Sequence, residues 1–82
     1  MTSFIEASDK TMARTLKTIR AGQEVTVGTG EEADVYGTVI IMAGGIAEIY
    51  RGGYGTVLDG GVAIVHDGAD TDIEVGGKVI YV

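Results

Sequence analysis

Hydrophobic and polar residues alternate along most of the chain in short runs, and glycine cuts the runs at regular intervals. Set in rows of eight from Ala21, the sequence reads AGQEVTVG, TGEEADVY, GTVIIMAG, GIAEIYRG, GYGTVLDG, GVAIVHDG, ADTDIEVG and GKVIYV. The fifth place is apolar in every row, from Val25, Ala33, Ile41 and Ile49 to Val57, Val65, Ile73 and Tyr81. The last place holds Gly28, Gly44, Gly52, Gly60, Gly68 and Gly76, with Tyr36 the exception. The first place adds Gly37, Gly45, Gly53, Gly61 and Gly77.

Residues between the glycines are rich in Val, Ile, Thr and Tyr, which suit strands. Glycine at each junction permits a positive φ and lets backbones approach closely. A helix with glycine pairs every eight residues would lose about 1 kcal/mol per glycine relative to alanine. Short strands joined by corners at a fixed period predict an all-β fold, a short β-solenoid or β-prism built from eight-residue strand-corner units.

Outward positions suggest the number of units per coil. Glu24, Glu48 and Asp72 recur at intervals of 24, as do Leu16, Ile40 and Ile64, whereas an interval of 16 would put Ile40, Thr56 and Asp72 on one side. This spacing predicts a three-sided coil of about 24 residues, with one acidic, one aliphatic and one mixed side. Ile40, Met42, Val62 and Ile64 would form an exposed aliphatic side that needs a partner. Self-association through it, as a homotrimer, is the expected solution.

Charge divides the chain. Residues 1–21 carry Lys10, Arg14, Lys17 and Arg20 against Glu6 and Asp9, a net +2. Residues 22–82 carry Arg51 and Lys78 against ten acids, a net −8. The chain therefore reads as a basic N-terminal arm over 1–21 and a glycine-rich solenoid over 22–82. In the arm, Ser8 or Asp9 could cap a short helix with Met12, Leu16 and Ile19 on one stripe. Against that, Thr11, Thr15 and Thr18 are poor helix formers and Leu16 already fits the strand register, so both readings stand. Lys10, Arg14, Lys17 and Arg20 suit attachment to an acidic partner surface. The acidic body argues against nucleic acid as its partner, and none is expected. No Sec-type leader and no apolar run of about 20 residues is read, so membrane insertion is not expected.

Chemistry is sparse. With no cysteine, one histidine (His66) and serine only at positions 3 and 8, a catalytic triad cannot be assembled. Asp70, Asp72 and Glu74 would spread over about 13 Å of strand, too far for one calcium ion. Gly52-Gly53-Tyr54-Gly55 lacks the Lys-Ser/Thr and the helix of a phosphate cradle. The expectation is a protein with no enzyme activity, no cofactor and no metal. Tyr36, Tyr50 and Tyr54 are candidate stacking platforms for a surface glycan.

The units GGIAEIYR, GGYGTVLD and GGVAIVHD, within residues 37–82, resemble the glycine-pair repeats of autotransporter adhesin passengers of the diffuse-adherence type. That resemblance implies a surface solenoid with an adhesin role at the bacterial cell surface. At the level of fold, a small glycine-rich solenoid with a leader also resembles decoration and fibre proteins of tailed bacteriophages. This second resemblance implies a virion component assembled in the host cytoplasm, with the arm bound to capsid or another virion protein.

Overall fold

Residues 15–82 are described by a computed structural model; expectations for Lys10, Met12 and Arg14 lie outside the described residues. Nine strands of four or five residues follow one another, and no helix occurs among the described residues. They are β1 (Thr15–Ile19), β2 (Glu24–Val27), β3 (Glu31–Val35), β4 (Thr38–Ile41), β5 (Ile46–Ile49), β6 (Tyr54–Val57), β7 (Val62–Val65), β8 (Asp70–Ile73) and β9 (Lys78–Tyr81). Odd strands form a five-stranded parallel sheet, β1-β3-β5-β7-β9, and even strands a four-stranded parallel sheet, β2-β4-β6-β8. The chain thus passes from one sheet to the other at every corner and winds as a β-solenoid of about four coils. Within the expected arm, residues 15–19 are the first strand of this stack and not a helix.

The solenoid and its eight-residue unit match expectation, but the three-sided coil does not. Each coil has two strands, so from β4 onward a residue pairs with its counterpart two units further along the chain. Ile40 lies beside Thr56, and Thr56 beside Asp72. Inward side chains explain the two-sided form. Ala33, Ala47 and Ala63 stack on the five-stranded sheet, while Val25, Val39 and Gly55 occupy corresponding places on the four-stranded one. Next to these run Ile19, Val35, Ile49 and Val65 on one sheet and Val27, Ile41 and Val57 on the other. Such small side chains fill the gap of about 10 Å between two facing sheets, with no large residues to occupy a three-sided interior. The core holds no buried polar or charged residue among those described.

The paired glycines divide two tasks. Gly44, Gly52, Gly60, Gly68 and Gly76, first in their corners' closing pairs, have φ between 82° and 90°, where a side chain is strained. The second glycine of a pair has no such φ but sits against the preceding coil. A Cβ on Gly45, Gly53, Gly61 or Gly77 would lie 2.6–2.8 Å from the carbonyl oxygen of Val27, Val35, Ile41 or Val57, respectively. At one corner Ala69 takes this second place. The corners are hydrogen-bonded between coils too. Gly44, Gly52 and Gly60 donate their N–H groups to the carbonyls of Gly60, Gly68 and Gly76, one coil further on, each at 3.0 Å.

One corner is short. Most connections take four residues, but only Tyr36 and Gly37 join β3 to β4. The pairing interval is therefore two positions shorter across this corner, with Ala33 beside Ala47 and Val25 beside Val39. Both corner residues donate their N–H to the same carbonyl, that of Ile19, at 2.6 and 3.0 Å. Since the shift is even, the inward residues stay inward across it.

Candidate functional site

The short corner starts an aromatic ladder. Tyr36 and Tyr50 follow the equivalent strand ends Val35 and Ile49, and His66 follows Val65, so the stacked coils set the three rings one above another. Tyr36 and Tyr50 stack with centroids 4.9 Å apart and planes 12° apart. Tyr50 and His66 stack at 4.5 Å and 17°. Nε2 of His66 hydrogen-bonds Oε2 of Glu48 at 2.6 Å, and both side chains are about one-third exposed. Lost hydration, then the negative charges of Glu48 and Asp34, hold the Tyr50 hydroxyl proton above the ordinary tyrosine range. The arrangement joins three coils along one edge.

The ladder changes what the tyrosines can bind. A sugar stacks on an open ring face, and both faces of Tyr50 are covered by its neighbours. Tyr54 starts β6 on the four-stranded sheet, the opposite side of the molecule from β5, which leads into Tyr50. The three residues therefore form no single platform.

The expected aliphatic side is likewise divided. Ile40 faces outward on the four-stranded sheet and Met42 follows it in the corner, whereas Val62 and Ile64 face outward on the five-stranded sheet. There the register adds Ile46 beside Val62 and Ile80 beside Ile64. Glu32 and Asp34 precede them in the same columns, so this outer face is acidic on its early strands and aliphatic on its late ones. The two-sheet coil thus places Ile40 and Met42 apart from Val62 and Ile64.

Of the basic residues, Lys17 Nζ lies 3.0 Å from Oε2 of Glu31, and Arg20 follows β1 in the first corner. Glu31 also accepts the Gly28 N–H at 2.8 Å. That backbone bond first, and Lys17 second, hold its carboxyl below the ordinary range. Lys17 therefore braces the first strands of the stack. Arg51 and Asp67 are 4.0 Å apart and almost fully exposed, so their contribution is small.

Beside the ladder, Val65, His66, Asp67, Gly68, Ala69, Tyr81 and Val82 line an open hollow of about 450 Å³ at the β8/β9 end of the stack. Among the described residues, no group of three or more His, Asp or Glu is placed to share a metal ion. The fold and these surfaces define a two-sheeted parallel β-solenoid with an aromatic corner ladder. No family model, curated protein or solved structure matches the chain.

Proposed function

We propose that the protein is a non-enzymatic structural element: a short, stiff parallel-β peg on a virion surface, held there through its basic N-terminal segment. The observation that supports this reading most is the contrast between the two parts. Residues 15–82 form one stack whose inward columns are aliphatic and whose outer faces carry most of the acids. Lys10, Arg14, Lys17 and Arg20, four of the six Lys and Arg in the chain, all fall within residues 1–21, which carry a net +2. Lys17 and Arg20 belong to the first strand and corner of the stack, and in residues 1–14 Lys10 and Arg14 are balanced by Glu6 and Asp9. A stack that bonds along its whole length resists bending, which suits a spacer or projection.

The experiment deletes residues 1–14, leaving β1 in place. The shortened protein is expected to keep its β circular dichroism and its melting temperature within a few degrees, while losing co-sedimentation with particles from the source. Undiminished co-sedimentation overturns the attachment role. Binding of the intact chain to bacterial envelopes in place of particles would favour the adhesin reading.

A further inference from the structure

The two ends of the stack differ. Ile19 and Val27 belong to the first strands of their sheets, yet they are only 1% and 0% exposed. At the other end, the inward residues Ile73 and Tyr81 are 45% and 70% exposed, and β8 and β9 are the edge strands of their sheets. An edge strand with free N–H and C=O groups beside bare core residues is a template for another strand.

We propose that this β8/β9 end pairs with the same end of a second copy, forming a closed two-fold dimer. A two-fold axis parallel to the strands brings β9 of each copy antiparallel to β8 of the other. Each five-stranded sheet then continues into the other copy's four-stranded sheet, with Ile73 of one copy beside residues 77–79 of the other and Tyr81 beside its residues 69–71. The outer residues fix the choice of partner. On β8, Asp70 and Asp72 face outward and Glu74 follows in the corner, without a cation beside them on their own sheet. On β9 the outward residues are Lys78 and Ile80. Alternation keeps outward residues together across the new pairing, so Lys78 of one copy falls beside Asp72 or Glu74 of the other, twice by symmetry. Because the same end serves both copies, the contact is used up after two copies, which makes this a dimer and not a filament.

Sedimentation equilibrium of the unmodified chain over a concentration series provides the test. A monomer–dimer equilibrium is expected, with Lys78→Glu weakening association by about tenfold or more. The double variant Lys78→Glu/Asp72→Lys, which reverses the charges, is expected to restore much of it. A monomer throughout the micromolar range, a mass that grows beyond two copies, or association indifferent to Lys78→Glu would each overturn the proposal. Amide exchange in the unmodified chain supplies a readout that needs no variant. Protection at β8 and β9 should rise with concentration, and protection independent of concentration would count equally against it. Both readouts concern β8 and β9 and not residues 1–14, so they stand or fall separately from attachment.

Discussion

At Gly37 the absence of a side chain has a specific cause. A Cβ there would collide with the Arg20 carbonyl oxygen and lie 2.7 Å from that of Gln23. Both obstacles are backbone, so neither can rotate aside, and relief would open the corner that Tyr36 and Gly37 form on the Ile19 carbonyl. Gly37→Ala is expected to cost about 1–3 kcal/mol, seen as a lower denaturant midpoint. Gly28 is the matched control, with nothing within 4 Å of its Cβ position and no positive φ. Gly28→Ala should be neutral or slightly stabilising, because alanine lowers the entropy of the unfolded chain. Equal losses at the two sites would show that strand propensity and not close approach governs these corners.

Among the elements, the ladder edge has its own pH dependence. Tyr50 is held protonated by lost hydration and by Glu48 and Asp34, while the rings of Tyr36 and His66 cover its faces. A folded-state pKa above the unfolded value means that this stabilisation is complete below about pH 10 and is lost as pH rises through the higher, folded value. Unfolding measured from neutral to strongly alkaline pH should therefore show a smaller alkaline loss in Tyr50→Phe than in the unmodified chain. Superimposable profiles would remove Tyr50 as the cause. Glu31 acts in the opposite direction. Its lowered carboxyl pKa adds stability above the unfolded value, and that stability is lost as pH falls through the folded one. The strands themselves were legible in the sequence, because burial between two sheets forces alternation and every fifth place in the rows is inward. Coil length was not. Outward residues such as Glu48 and Asp72 face water on different sheets and need not match, so their regular recurrence carried no geometry. Nor could the two-residue deficit at Tyr36 be seen, since an even shift preserves alternation. Its one trace was a tyrosine interrupting the glycine column, and the ladder it begins joins residues at unequal intervals.

The whole molecule is a stack in which each coil touches only its neighbours, so the effect of a mutation depends on how many neighbours the residue has. Ile49 is fully buried, between Val35 on β3 and Val65 on β7, and Ile49→Ala should cost about 2–5 kcal/mol by leaving a cavity mid-stack. Ile73 occupies an inward place on β8 but has a coil on one side only and is 45% exposed. In the dilute chain Ile73→Ala removes a half-covered side chain and should cost less than about 1.5 kcal/mol. Ends joined by a second copy change that arithmetic, because the same side chain is then covered from both directions. The penalty of Ile73→Ala should grow with protein concentration, while that of Ile49→Ala stays constant. Thermal melts of both variants at two concentrations separate these cases. A constant penalty at Ile73 would mean that the β8/β9 end does not pair with a second copy and that Ile73 stays half open to water.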